Sequence, residues 1–269
     1  MKKIVPVLFF AFFIACQERV EKTTDTSKTD TTLPVAVAVP PVAENEEAAR
    51  YPGDSGYAGS ILTTGEFHDD EVKESDAKKN WIGIFSNDTG YYLAPANVKL
   101  KRVNDAVVDE EGQMTGWEVK TDHKDSVVLL IAGLDLLREG PLTRIALSKD
   151  QLQPGDSLPF RFSGVNYVLH ASGNRVKRDG DYQVEDYKLF LSVEKDGHRT
   201  TELLAAQPNF DDNMIRILFA GDIDGDGKPD LLLDGSWHYN VTAPTLYLSK
   251  PAEAGHLLKV TARHTAVGC

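Results

Sequence analysis

Ten short segments between residues 81 and 262 set the architecture. They are WIGIF (81–85), GWEVK (116–120), SVVLLIA (126–132), VNYVLHA (165–171), YKLFLSVE (187–194), TELLAAQ (201–207), IRILFAG (215–221), DLLLD (230–234), PTLYLS (244–249) and LLKVTA (257–262). Each is rich in β-branched or other apolar residues, and segments rich in turn formers separate them. Side chains of a strand alternate between two faces, so a segment this short buries its apolar side only by pairing with others. Helical periodicity is scarce, and the spacing allows only short helices, around 134–139 and 148–152. The pattern predicts a mostly-β chain of antiparallel sheets, arranged as a sandwich or a barrel.

Turn chemistry supports the division into strands. Lys195-Asp196-Gly197-His198 separates two of them, and an Asp-Gly pair accepts the positive φ of a tight hairpin. The stretch 182–207 is therefore the clearest hairpin. Gln153-Pro154-Gly155-Asp156 is a second turn signal and places a division near residue 150. The expected folded parts are an N-terminal β-rich subdomain, 51–150, and a C-terminal β subdomain, 151–269. Together they are long enough to bury a core.

The first fifteen residues read differently. Lys2 and Lys3 precede an apolar run, residues 4–15, shorter than the roughly 20 residues that cross a bilayer. This is the layout of a secretory signal peptide. Phe13-Ile14-Ala15-Cys16 resembles the lipobox of bacterial lipoproteins, with Phe13 where leucine is usual. The resemblance implies cleavage before Cys16, lipidation of Cys16, and anchoring to the membrane through acyl chains rather than by a span. Gln17 stands where an aspartate would resemble an inner-membrane retention signal. The implied location is thus the cell envelope, at the outer membrane of a Gram-negative cell. Residues 16–50 are Thr-, Asp-, Lys- and Glu-rich, then Pro-Val-Ala-rich, with no core-forming period. They read as a disordered tether. The second cysteine, Cys269, then has no partner within the chain and is free or paired between molecules.

The formal net charge is −12, which repels phosphate backbones and argues against nucleic acid as a partner. Much of that charge is crowded into AGDIDGDGKPDLLLDG. Asp222, Asp224, Asp226 and Asp230 follow D-x-D-x-D-G-x-x-D. Alternate carboxylates turned inward by a tight loop suit a hard cation, since Ca²⁺ takes six to eight oxygens. Gly225 and Gly227 supply the backbone freedom for the turn. An EF-hand is excluded, because its twelfth position would be Leu233 and the flanks are strand-like. The stretch GDIDGDGKPDLLLD is similar to the calcium loop of FG-GAP/VCBS-type repeats. That resemblance implies side-chain ligands at Asp222, Asp224, Asp226 and Asp230, a backbone ligand at Lys228, and a loop joining two adjacent strands. Only one copy is present, whereas a propeller needs several blades. The expectation is one calcium-clipped β-hairpin in another β-fold, with Ca²⁺ in a structural role, and not a full propeller.

Other clusters carry less. Trp237, His238, Tyr239 and Asn240 follow the metal strand and form a candidate ligand surface for a glycan or protein; packing of the aromatics on the sheet is the plainer expectation. Glu66, His68, Asp69, Asp70 and Glu71 lie together, with His68 and Glu71 spaced to share a helix face, yet no second histidine is near enough for a zinc site. His170 alternates with apolar residues and reads as a strand residue. No HExxH, G-x-S-x-G or P-loop is present. The expected function is an envelope-anchored lipoprotein with a structural Ca²⁺ loop, acting as a binding module. The alternative is a secreted, calcium-stabilised hydrolase of polysaccharide or peptide, with carboxylates assembled from distant segments.

Overall fold

The computed structural model describes residues 49–51, 56–178, 180–195 and 197–268. Cys16, Cys269, the signal-like run and nearly all of the tether lie outside them. The described residues fall in one compact unit, Glu44–Cys269.

Strands account for almost all of its regular structure. In chain order they are β1 (Ser60–Leu62), β2 (Gly65–Phe67), β3 (Trp81–Asn87), β4 (Gly90–Ala96), β5 (Val98–Val103), β6 (Gly116–Thr121), β7 (Ser126–Ala132), β8 (Gly140–Arg144) and β9 (Ser157–Phe162). They continue with β10 (Val165–Arg178), β11 (Asp181–Lys195), β12 (His198–Asn209), β13 (Arg216–Asp222), β14 (Asp230–Asp234), β15 (Val241–Thr242), β16 (Pro244–Leu248), β17 (Lys259–Arg263) and β18 (Ala266–Val267). One 3-10 helix, Glu74–Lys78, interrupts them. All ten segments singled out in the sequence are strands, and every pairing is antiparallel. The two short helices allowed around 134–139 and 148–152 are absent; the first stretch holds a turn and the second is bends and irregular chain. Leu134 and Leu137 are instead buried, and a turn lets both reach the core while Leu137 N–H donates to Leu134 O at 3.3 Å.

A nine-stranded sheet, ordered β1-β7-β3-β4-β8-β13-β14-β16-β17, forms the centre. Its two edges come together through Gly59 N–H to Thr261 O at 3.0 Å, so the sheet curls towards a barrel. The expected division near residue 150 falls inside this sheet, because β8 pairs with β13 across it. Alternation along the central strands decides which core each side chain enters. On β7, Leu129 and Ile131 join one buried cluster while Leu130 and Ala132 join another. On β14, Leu232 faces the same interior as Leu129, and Leu231 and Leu233 face the opposite way. The unbroken apolar runs of these strands are thus explained: both faces are covered. Burying each such leucine is worth about 1.5–3 kcal/mol.

Two smaller sheets provide the cover. The three-stranded sheet β2-β6-β5 contributes Phe67, Trp117 and Val119 to the cluster holding Leu130. The four-stranded sheet β12-β11-β10-β9 contributes Leu169, Tyr187, Leu189 and Leu204 to the cluster holding Leu231 and Leu233. The hairpin expected over 182–207 is the β11–β12 pair, with Gly197 at φ +75° in its turn. The turn at 153–156 is also formed, closed by Asp156 N–H to Gln153 O at 2.9 Å.

The β8–β13 junction depends on Gly221. A Cβ there would lie 2.3 Å from Thr143 O and 2.9 Å from the Phe219 ring. Backbone cannot yield cheaply, so overpacking should cost about 1–3 kcal/mol. Gly221→Ala is expected to lower the unfolding free energy measured by urea denaturation by that amount, whereas Gly112→Ala, at a position open to space but with φ +85°, should show only the smaller backbone penalty.

Candidate metal centre

The acidic loop joins β13 to β14, with Gly221 and Asp230 paired at its base. Gly225 and Gly227 adopt φ of +75° and +80°, which reverses the chain tightly enough to turn the carboxylates inward. Each carboxylate also accepts hydrogen bonds from the backbone. Asp222 Oδ1 takes the N–H of Gly225 at 2.7 Å and of Asp226 at 3.1 Å, and its Oδ2 takes Gly227 N–H at 3.0 Å. Asp226 Oδ1 takes Lys228 N–H at 2.9 Å. These bonds hold the loop as a series of short side-chain-to-backbone turns.

One oxygen from each of Asp222, Asp224 and Asp226 lies within 4.8 Å of the others, so these three could hold a metal ion. The donor set is all carboxylate, which suits a hard cation. Its electrostatics point the same way. Burial raises the Asp224 carboxyl above its usual range, and the neighbouring charges of Asp226 and Asp222 push it further, against the opposing bond from Lys250 N–H. A cation would relieve that repulsion. Burial also works to raise Asp226, but bonds from Lys228 and Ser249 outweigh it and leave that carboxyl below its usual range. Lys228 Nζ already sits 2.9 Å from Asp226 Oδ2, as an internal partial substitute for a bound cation.

Asp230 stands apart from the three. Its side chain is fully buried, with Oδ2 accepting Ile223 N–H at 2.6 Å and Asp224 N–H at 3.0 Å, and Oδ1 accepting Ser249 N–H at 2.7 Å. Its place is that of a bracket joining both ends of the loop to the end of β16. The burial raises its carboxyl to about 8, with the Asp224 charge adding to the rise and the three N–H groups opposing it. For Lys228, the structure places the ammonium on Asp226 and its N–H on the same carboxylate.

Sequence reasoning missed the second half of this site. Ser249 Oγ donates to Asp226 Oδ1 at 2.9 Å, and Lys250 N–H donates to Asp224 Oδ2 at 3.0 Å. Both follow the apolar strand β16, and nothing in the local pattern LSKP marks them. Only the β14–β16 pairing brings them across.

The remaining candidates separate. Trp237 packs against the core, whereas Tyr239 is 75% exposed. The His238 ring lies 4.3 Å from that of Tyr239 and bonds through Nδ1 to Asn240 Oδ1. Trp237, His238 and Asn240 are all half-buried, and Tyr239 alone of the four is exposed. His68 and Glu71 lie on a turn, not a helix: Glu71 N–H donates to His68 O at 3.3 Å, and His68 N–H to Glu71 Oε2 at 2.9 Å. His68 Nδ1 meets the buried Asp105 carboxylate. Asp69 pairs with Arg102, whose guanidinium stacks on Trp117. His170 is a strand residue, stacked on Phe190 at 4.9 Å. Comparison of the chain with protein-family models, curated proteins and solved structures finds no match.

Two pH effects follow. A carboxyl whose pKa is higher folded than unfolded stabilises fully below its unfolded value, and that contribution is lost as pH rises through the folded one. In EDTA, the thermal midpoint should therefore fall between pH 5 and 8 more steeply in the wild type than in Asp230→Asn. His68 is raised above 6.5, chiefly by its bond to Asp105, with burial opposing. Its contribution is complete below pH 6.5 and disappears as pH rises through the higher folded value. An NMR titration of His68 should show a raised midpoint that drops on Asp105→Asn; an unchanged midpoint would remove Asp105 as the cause.

Proposed function

We propose that this chain is a lipid-anchored protein of the bacterial cell envelope whose Asp222–Asp230 loop takes Ca²⁺ as a structural clip, and whose β-body serves as a binding module. The observation that carries the metal reading is the convergence of the Asp222, Asp224 and Asp226 oxygens around a buried Asp224. The similarity of the loop to FG-GAP/VCBS-type calcium loops supports calcium in particular. The anchor rests on the lipobox-like Phe13–Cys16, and the acidic balance of the chain agrees with a role that excludes nucleic acid.

The site favours structure over chemistry. Its carboxylates are committed to backbone N–H groups of the loop and of the β16 end. A cation there would join β13, β14 and the segment after β16. Asp222, Asp224 and Asp226 would hold the ion through side chains, with Lys228 offering its backbone oxygen and Asp230 fixing the loop behind them. A ligand that binds only the folded state stabilises it by RT ln(1+[L]/Kd). For the weak affinities usual in extracellular modules, millimolar calcium gives about 0.5–1.5 kcal/mol.

The thermal midpoint of the full-length chain should rise in millimolar CaCl₂ relative to EDTA, with less effect from Mg²⁺. The Asp224→Ala, Asp226→Ala variant should lose the rise. Equal midpoints in the wild type, with no calcium bound by direct titration, would reject the clip. For the anchor, mass spectrometry of the N-terminal peptide should find acyl mass on Cys16, and Cys16→Ser should release the protein from the membrane fraction.

A further inference from the structure

A cavity of about 710 Å³ opens at the ends of β1, β3 and β7, and no residue of the acidic loop lines it. This lies within the range of small-molecule sites, about 300–1,000 Å³. Its lining combines two chemistries. Ala58 and Pro95 are exposed and Ile82 is half-buried, and these supply its accessible apolar surface; Trp81, Ile131, Leu134 and Leu137 lie beneath as core residues. The Trp81 indole N–H is directed to Asp76 O at 2.7 Å, so its hydrogen-bonding capacity is already used. Lys78, Lys79 and Arg138 supply positive charge, against a single lining carboxylate, Asp135.

That excess of cations is unusual on this chain, whose net charge is −12. Not all of it is neutralised. Lys79 is held by Asp76 at 2.8 Å and donates to Ser60 Oγ at 2.9 Å. Arg138 uses one nitrogen, Nη1, on the carbonyls of Asp135 and Leu137, which fixes the arginine on the turn and leaves Nε and Nη2 with no partner among the described residues. Lys78 is exposed and has no ion-pair partner among the described residues. A neutral sugar would need several acceptors and donors in register, and the cavity offers few: Ser60 is engaged by Lys79, and Asp135 and Asn80 remain.

We propose that this cavity binds a small organic anion with an apolar body, its charged head at Lys78 and Arg138 and its body against Ala58, Ile82 and Pro95. The site is distinct from the metal loop and does not rest on the calcium reading. The cations act in two ways. They attract an anion through their local positive charge, and they discriminate against cationic amphiphiles of the same size.

The test is displacement of anilinonaphthalenesulfonate, an aromatic anion, from the full-length chain in EDTA, so that failure of the metal loop cannot affect the result. Competitors are octanoate, octyl phosphate, octanol and octylammonium. Either anion should displace the probe better than octanol, and octylammonium should displace it least; the tighter anion selects the head group. Lys78→Gln with Arg138→Gln should raise the Kd for octanoate by about threefold or more, the scale of exposed ion pairs, and leave octanol unchanged. Ala58→Phe, which adds bulk at an exposed lining position, should abolish displaceable probe binding with the thermal midpoint retained. Equal competition by octanol and octylammonium, an octanoate affinity indifferent to the charge variant, or probe binding that survives Ala58→Phe would overturn the assignment.

Discussion

The buried carboxylate of Asp230 holds together the part of the molecule on which the candidate site depends. It accepts N–H groups from Ile223 and Asp224 at the start of the loop and from Ser249 at the end of β16. Three bonds to one side chain join segments about 25 residues apart, and they fix where the other carboxylates of the loop stand. Burying a charge is costly unless its oxygens are occupied, and here backbone donors occupy them. Burial and the Asp224 charge still disfavour the ionised form of Asp230, and the repulsion among Asp222, Asp224 and Asp226 is what a bound cation would offset. Were a cation bound there, its affinity and the stability of the fold would be two aspects of one electrostatic arrangement.

The loop can be held this way because the hairpin beneath it is buried on both faces. Leu231, Leu232 and Leu233 alternate between two cores, so β14 has no freedom to slip by one residue without placing each leucine in the wrong cluster. Ile223, within the loop itself, is buried in the same cluster as Leu232 and Leu248. The apolar side chain between two acidic ones therefore anchors the loop to the interior. Gly221 completes the arrangement by letting Thr143 of β8 approach closely, which joins the N-terminal strands to the C-terminal ones in one sheet.

Much of the strand content was legible, because alternating or continuous apolar runs of five to eight residues leave few alternatives. The strands that escaped notice, such as β4, β5 and β8, are polar or glycine- and proline-containing: GYYLAPA, VKLKRV and GPLTR. Their membership is decided by pairing, which no local pattern reports. The turn at 134–139 shows the same limit from the other side. Leu134, Leu136 and Leu137 have helical spacing, yet a turn buries Leu134 and Leu137 equally well against β7 and the loop residue Ile223.

The order of residues alone decides that the chain is β-rich and antiparallel, that 222–230 is a tight acidic loop between two strands, and that Asp222, Asp224 and Asp226 converge. These are consequences of spacing, since period-two alternation and glycine at positive φ act within a few bonds. Tertiary structure alone decides that Asp230 is a bracket, that Ser249 and Lys250 close the loop, and that one side of Trp237 packs on the core. It alone gathers Lys78, Arg138 and Trp81 around one cavity. Each of those facts depends on strands distant in the chain coming into register. Register is set by which faces the whole sheet can bury, not by any segment on its own.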